Sequence, residues 1–168
     1  MNMRHTYHPP DEEDFLSKYV SQNDIVAELG CGSGFYCKKL VKLAKKVYCV
    51  DIDCGALEAA KLSVDTKAVF LCESADKTSI LDAEIDVVLL ANSFHDMDNK
   101  EEVVREIMRI LKDKGKVVVV DWKKEKTEIG PPVNIRFSEE DYVRYFKTFK
   151  LTDKFFPSRY HYGLVFVK

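Results

Sequence analysis

The sequence lacks the features that would point to a membrane, a secretory route or a nucleic acid. No apolar stretch approaches the roughly 20 residues that a membrane-spanning helix needs. The first residues, Met1 to His5, lack the apolar core of a signal peptide, so a cytosolic location is expected. The 28 acidic and 26 basic residues give a net charge of −2, without the basic excess of a general nucleic-acid binder. We therefore expect no membrane partner, and nucleic acid is disfavoured as a partner.

Cysteine patterns typical of zinc or redox motifs are also missing. The five cysteines contain no Cys-x-x-Cys pair and lie at positions 31, 37, 49, 54 and 72. Cys49 and Cys72 fall inside predicted strands, where small buried side chains are expected. Disulfides are not expected in a reducing cytosol, unless the source is a hyperthermophile. Near the start, His5 and His8 lack the carboxylate–histidine spacing of a metal site, so no metal is predicted.

Strand-like and helix-like segments alternate along the 168 residues, which predicts one α/β domain over residues 1–168. Strands are predicted over 24–29, 46–51, 67–72, 85–91, 116–121, 151–157 and 161–167, the last two as a hairpin. Helices are predicted over 11–21, 33–44, 54–63, 100–112 and 139–149. The alternation indicates a mostly parallel sheet with helices on both faces. Residues 1–22 and 123–137 are expected to form covers over one end of it.

A glycine-rich turn follows the first predicted strand and is the most informative feature of the chain. The segment 26–34 runs from apolar residues through Glu28 into Gly30, Gly32 and Gly34. Glycines let a backbone turn tightly and approach a ligand closely. The next strand ends in Asp51, where a carboxylate can accept hydrogen bonds from a ribose diol. Together these residues predict a site for a nucleoside-containing cofactor.

Two departures separate this turn from a dinucleotide site. The dinucleotide fingerprint is Gly-x-Gly-x-x-Gly, and Phe35 stands where its third glycine would be. A ring at that position would obstruct a pyrophosphate, and Glu28 would repel one. A carboxylate there suits an ammonium group instead. Both residues favour S-adenosylmethionine, which carries a ribose and an ammonium but no phosphate, over a nicotinamide dinucleotide.

Four segments together resemble a known family. They are Glu28-Leu29-Gly30-Cys31-Gly32-Ser33-Gly34, Val50-Asp51-Ile52, the run from Ile85 to His95, and the run from Gly115 to Trp122. From about residue 24 to its end the chain resembles the class I S-adenosylmethionine-dependent methyltransferases. The closest likeness is to the small type 11 group, related to ubiquinone/menaquinone-biosynthesis methyltransferases. The resemblance implies a Rossmann-like, doubly wound, seven-stranded sheet with a C-terminal antiparallel hairpin. It also implies S-adenosylmethionine as cofactor and S-adenosylhomocysteine as product.

Roles for the cofactor residues follow from the motif and the resemblance. Asp51 is expected to hold the ribose hydroxyls, with a helix cap as the alternative, and Ile52 to pack on the adenine. Glu28 is expected to face the ammonium or to brace the glycine turn, and the two roles are compatible. The adenine edge is assigned to residues after strand three. The full predicted cofactor set is Glu28, Gly30, Cys31, Gly32, Gly34, Asp51, Ile52, Ser74, Ala75, Asn92 and Ser93, with Glu73 and Asp76 as further adenine candidates.

The methyl acceptor is expected beside the segment that follows strand four. Asn92 and His95 are the candidate catalytic residues there, and His95 is either a general base or a packing residue. The Asn/Asp-Pro-Pro-Tyr/Phe motif of many amino- and amide-N-methyltransferases is absent, which disfavours those acceptors. Candidate substrate contacts are Tyr7, Trp122 and Arg136. For Arg136 a salt bridge that holds its loop is the alternative.

The leading hypothesis is a methyltransferase acting on a small molecule, as a monomer or homodimer. Its rivals are an RNA or protein methyltransferase, a non-catalytic cofactor-binding subunit, and a nicotinamide-dependent oxidoreductase. Against the first rival stand the pI near 6.1 and the absence of an added binding module. Phe35 and Glu28 disfavour the last.

Overall fold

The computed structural model describes residues 11–64 and 67–168, and these form a seven-stranded sheet. The strands are β1 (Ile25–Leu29), β2 (Lys46–Asp51), β3 (Ala68–Cys72), β4 (Ile85–Ala91), β5 (Leu111–Trp122), β6 (Lys150–Ser158) and β7 (His161–Val167). The α-helices are α1 (Leu16–Tyr19), α2 (Cys37–Leu43), α3 (Cys54–Ser63), α4 (Lys100–Ile110) and α5 (Glu139–Tyr145).

The strand order is β3-β2-β1-β4-β5-β7-β6. Strands β1 to β5 are parallel, and β7 runs antiparallel to both β5 and β6. The predicted doubly wound sheet with a C-terminal antiparallel hairpin is confirmed. Because the strand order reverses between β1 and β4, a crevice is expected at the carboxyl ends of these two strands.

Helices cover both faces of the sheet, as predicted. Side chains of α1, α2 and α3, such as Leu40 and Leu57, pack into one core cluster. Those of α4 and α5, such as Ile107 and Tyr142, pack into a second cluster on the opposite face. The central strands β1, β2 and β4 are buried on both sides, which explains their continuous apolar sequences.

Four predicted helices are shorter in the structure, and α1 and α2 also begin later than predicted. The backbone N–H groups of Glu12 and Glu13 donate to the carbonyl of Pro157, so α1 begins only at Leu16. The predicted helix over 33–44 begins at Cys37, after a turn formed by the glycine segment.

Strand β5 starts five residues earlier than predicted, at Leu111 instead of 116. Leu111 pairs with Ile85 of β4, and the register then shifts. Lys114 accommodates the irregularity with a φ of +65°.

The predicted start of α5 is confirmed, since Ser138 and Asp141 form the capping box. Asn99 stands at the N-cap of α4 but donates its side-chain amide to Asp76.

None of the helices in the described part of the chain is long and apolar enough to span a bilayer. The predicted cover over residues 1–22 falls partly outside the described residues.

Candidate functional site

A cavity of about 480 Å³ opens at the carboxyl ends of β1, β2 and β4, where the strand order reverses. We call it the cleft. The predicted cofactor residues that line it are Gly30, Gly32, Asp51, Ile52, Ser74, Ala75, Asn92 and Ser93. The topology thus brings together segments that are distant in sequence, at the position expected for ligands of open α/β sheets.

The glycine turn is held against the end of β2. The N–H groups of Gly30 and Cys31 both donate to the carbonyl of Val50, at 2.8 and 3.0 Å. Gly30 has a φ of +78°, and a Cβ on it would lie 2.6 Å from the Cβ of Ser93. Gly32 has a φ of +54° and would place a Cβ in open space. Glycine at position 30 is therefore required by packing as well as by backbone conformation.

Asp51 connects the turn to the next helix. Its Oδ2 accepts the N–H of Gly32 at 2.7 Å, and its Oδ1 accepts the N–H of Asp53 at 2.8 Å. A carboxylate oxygen can accept more than one hydrogen bond, so each oxygen keeps capacity for a ligand hydroxyl. The helix cap itself is Asp53, whose Oδ1 accepts the N–H of Ala56.

The segment after β4 is fixed to both neighbouring strands. The N–H of Asn92 donates to the carbonyl of Val120 at 2.8 Å, and Asn92 adopts a φ of +54°. The hydroxyl of Ser93 donates to the carbonyl of Leu29 at 3.0 Å. Asn92 and Ser93 therefore present their cleft-facing atoms from a rigid backbone.

Glu28, Cys31 and Gly34 lie beneath the turn and do not line the cleft. Glu28 is 2% exposed, and its Oε1 lies 3.2 Å from the Sγ of Cys37. Burial, together with the negative charge of Asp51, raises the pKa of Glu28 well above its usual range. Burial also raises the pKa of the Cys31 thiol. Gly34 permits close packing, because a Cβ there would lie 2.9 Å from Val64 Cγ2. The Glu28 carboxyl thus contacts the start of α2, and both of its predicted roles stay predictions.

His95 belongs to a buried network behind the cleft. Its Nδ1 lies 3.1 Å from Asp121 Oδ2 and its Nε2 lies 3.3 Å from Asp96 Oδ2. The hydroxyl of Tyr142 donates to the same Oδ2 of Asp121, and the N–H of Trp122 donates to Asp121 Oδ1. Burial lowers the pKa of His95, but the hydrogen bonds to Asp121 and Asp96 outweigh it and raise the pKa to about 10. A raised pKa favours the imidazolium at neutral pH, which argues against the predicted general-base role.

This network makes stability depend on pH. Since folding raises the pKa of His95 from 6.5 to about 10, its contribution is full below pH 6.5 and is lost as the pH rises to 10. We expect the free energy of unfolding, measured with urea at pH 6, 8 and 10, to fall across this range by an amount on the order of a few kcal/mol. His95→Gln is expected to remove most of that fall, and Asp96→Asn part of it. Parallel curves for wild type and His95→Gln would refute the assignment.

Two of the predicted substrate contacts are buried away from the cleft. Trp122 is 1% exposed and Arg136 is 2% exposed. The Nε of Arg136 donates to the Pro131 carbonyl. Its Nη1 and Nη2 donate to the carbonyls of Lys123, Glu125 and Ile129 and to the Thr127 hydroxyl. These contacts use all five guanidinium donors, so the predicted bond to a substrate anion does not fit. Tyr7 lies outside the described residues.

The structure pairs four of the five cysteines, contrary to expectation. Cys37 is joined to Cys49 and Cys54 to Cys72, and Cys31 is free and buried. Sequence reasoning missed these disulfides because it started from an assumed reducing cytosol.

The cleft is acidic. Its wall holds five carboxylates and, among the described residues, neither lysine nor arginine; the carboxylates are Asp51, Asp53, Glu73, Asp96 and Asp98. Sequence reasoning missed Asp98 and Met97 as lining residues, although both directly follow the predicted segment. A wall of one sign attracts a ligand of the opposite charge and repels phosphates.

Comparisons with known proteins agree with this geometry. A family model described as a methyltransferase domain matches residues 27–119, more than half of the chain. A Sulfolobus solfataricus protein assigned to the type 11 methyltransferases is 46% identical, with a TM-score of 0.79 over 84% of this chain and 82% of that one. A S-adenosylmethionine-dependent methyltransferase from Aquifex aeolicus shares the fold at 22% identity, with a TM-score of 0.82 and 94% of both chains covered.

A curated relative, the demethylmenaquinone methyltransferase of Thermotoga maritima, is 27% identical over 73% of this chain and 51% of its own length. The chain spans about half or less of the length of the curated relatives it matches. With the family match over more than half of its residues, the chain belongs to the type 11 group of class I S-adenosylmethionine-dependent methyltransferases.

Proposed function

We propose that the chain binds S-adenosylmethionine in the cleft and transfers its methyl group to a small-molecule acceptor. The observation that carries this proposal is the joint geometry of the glycine turn and Asp51. The turn presents a backbone free of side chains at Gly32, and Asp51 lies hydrogen-bonded beside it with acceptor capacity to spare.

We assign the parts of the cofactor to successive sections of the cleft wall. Asp51 would accept the ribose hydroxyls, and Ile52 would cover one face of the adenine. The end of β3 supplies Ser74 and the backbone of Ala75 for the adenine edge. Asn92 and Ser93 face the methionine part from the end of β4. This order follows the order of the strands β3, β2, β1 and β4 across the sheet.

The charge of the cleft supports this cofactor over a dinucleotide. S-adenosylmethionine carries a sulfonium and an ammonium against one carboxylate, so it is a cation. The five wall carboxylates favour it and would repel the pyrophosphate of a nicotinamide dinucleotide. The same charge disfavours an anionic acceptor next to Asp96 and Asp98.

Methyl transfer from a sulfonium is a near in-line displacement, and the protein's task is chiefly alignment. The fixed backbone at Asn92 and Ser93 can hold the donor in one orientation. Proximity and orientation can supply roughly 7–11 kcal/mol of a barrier in favourable cases. A base is required only if the nucleophile arrives protonated, so the protonated state of His95 leaves the reaction possible. His95 would then act by fixing Asp96, which lines the cleft.

A non-catalytic cofactor-binding subunit would keep the glycine turn and Asp51 without room for an acceptor. The cleft of about 480 Å³ is also lined by Met97, Asp98 and Val103, which lie outside the predicted cofactor set, and this larger wall supports an enzyme. The small-molecule acceptor, the monomer or homodimer state and the cytosolic location stay predictions.

Calorimetric titration of the purified protein tests the cofactor. We expect S-adenosylmethionine and S-adenosylhomocysteine to bind with micromolar dissociation constants, which correspond to a binding free energy of about −8 kcal/mol. We expect NAD not to bind. Binding of NAD with comparable affinity, or no binding of either adenosyl ligand, would contradict the proposal. A positive result justifies a screen of neutral and cationic acceptors by release of S-adenosylhomocysteine.

A further inference from the structure

The exposed disulfide between Cys54 and Cys72 lies directly beside the cleft wall. Cys54 is the first residue of α3 and Cys72 is the last residue of β3, with 5.3 Å between their Cα atoms. In the register of β2 and β3, Cys72 is the partner of Asp51. The sulfur atoms of both cysteines lie 3.9 Å from the carbonyl oxygen of Ile52. The disulfide thus joins both sides of the segment proposed to hold the ribose and the adenine.

This part of the wall lies at the edge of the sheet. Strand β3 is an edge strand whose only neighbour in the described sheet is β2. At its end, the N–H of Glu73 donates to the carbonyl of Asp51 at 3.2 Å. The ends of edge strands open more readily than central strands, because one side of their backbone is unpaired. The disulfide from Cys72 to Cys54 of α3 fixes the end of β3, which has no second neighbouring strand in the described sheet.

The second disulfide provides an internal contrast. Cys37 and Cys49 are both fully buried in the core between α2 and β2. Cys54 and Cys72 are exposed. Thiol–disulfide exchange requires access of a thiolate to a disulfide sulfur, so a mild dithiol reductant will reach the exposed pair first.

We propose that Cys54 and Cys72 are positioning residues for the cofactor, and that reduction of their disulfide by a dithiol weakens cofactor binding. The inference rests on the proposed function. One thiolate of the reductant attacks one sulfur of the disulfide and releases the other as a thiolate. The second thiol of the reductant then closes a cyclic disulfide and frees the first cysteine. Two electrons and two protons pass to the protein, and Cys54 and Cys72 become thiols.

The test compares oxidised protein with protein treated briefly with dithiothreitol and then freed of it. Thiol titration under native conditions should find two reactive groups after treatment and none before. S-adenosylhomocysteine and methylthioadenosine are then titrated calorimetrically, well below the unfolding temperature of the reduced form. If the cleft wall at Cys54 and Cys72 is less ordered after reduction, ligand binding must order it again, and this lowers the affinity. We expect the affinities for both ligands to fall about three- to tenfold. Methylthioadenosine lacks the amino acid part of the cofactor. A lower affinity for it after reduction would therefore show that the disulfide acts on the part of the cleft that binds adenosine.

Cys54→Ser/Cys72→Ser is the matched variant. It is expected to bind with the lower affinity of the reduced wild type, whether or not dithiothreitol is applied. A variant that binds like the oxidised wild type and loses affinity only on treatment would assign the effect to Cys37–Cys49 and overturn the inference. If the variant does not fold, reoxidation of the reduced wild type should restore the affinity, and failure to do so overturns the inference.

Equal affinity of the oxidised and reduced wild type would refute the inference and leave the proposed function standing. A loss confined to S-adenosylhomocysteine would also refute it. No binding of either ligand to the oxidised protein would instead refute the proposed function and this inference with it.

Discussion

Alanine in place of Asp51 is expected to weaken S-adenosylhomocysteine binding by about 1–3 kcal/mol, or about 5- to 150-fold. The variant loses the proposed charged hydrogen bonds to the ribose. It also leaves the N–H of Gly32 without its acceptor, so the turn itself becomes less ordered. Calorimetric titration of wild type and variant under identical conditions measures the difference, and thermal unfolding checks that the variant is folded.

Two comparison variants separate the causes. Asp51→Asn keeps one carbonyl oxygen and the size of the side chain, so a loss of binding there reports the charge together with the second acceptor oxygen, which receives a backbone N–H in the wild type. Glu58→Ala removes a carboxylate from the exposed surface of α3, where Glu58 pairs with Lys61, and is expected to leave the affinity unchanged. A folded Asp51→Ala protein with wild-type affinity would remove Asp51 from the cofactor site.

Gly30→Ala is expected to have the largest effect on the folded state. Its φ of +78° is unfavourable for alanine, at about 1–2 kcal/mol. The added Cβ would also lie 2.6 Å from the Cβ of Ser93, and such overpacking typically costs about 1–3 kcal/mol. Since Ser93 is hydrogen-bonded to Leu29, it cannot move aside without breaking that bond. Urea unfolding should show the loss, and cofactor binding should be strongly weakened or absent.

Gly32→Ala is the matched control for this clash. A Cβ at position 32 meets no atom within 4 Å, so only the backbone strain of about 1–2 kcal/mol is expected in the free energy of unfolding. Binding should nevertheless weaken, because the methyl group would stand beside the cleft. Equal losses of stability in the two variants would show that the contact with Ser93 is not what requires glycine at position 30.

The sequence predicts the parallel sheet well, because its strands are buried on both faces and their apolar runs are continuous. β2 and β4 have the predicted bounds. Prediction fails where a tertiary contact decides the local structure. The early start of β5 depends on the pairing of Leu111 with Ile85, and the late start of α1 on bonds to Pro157. Neither partner is close in sequence.

The site divides in the same way. Residues whose role is carried by the backbone or by a strand end, such as Gly30 and Asp51, lie where the motif predicts. The residues predicted from their chemical type, such as His95, Trp122 and Arg136, are buried and do not line the cleft. A sequence gives the identity of a polar side chain, but its direction depends on partners such as Asp121, which is separated from His95 by 26 positions.

The buried guanidinium of Arg136 has a consequence for how this molecule can be altered. The loop from Lys123 to Arg136 is organised around one internal cation that binds its carbonyls. Its outward side chains, such as those of exposed Lys126 and Glu128, are not needed to define its shape. Substitutions at these two positions are therefore expected to leave the conformation of the loop unchanged, whereas loss of the Arg136 guanidinium would free five acceptors at once.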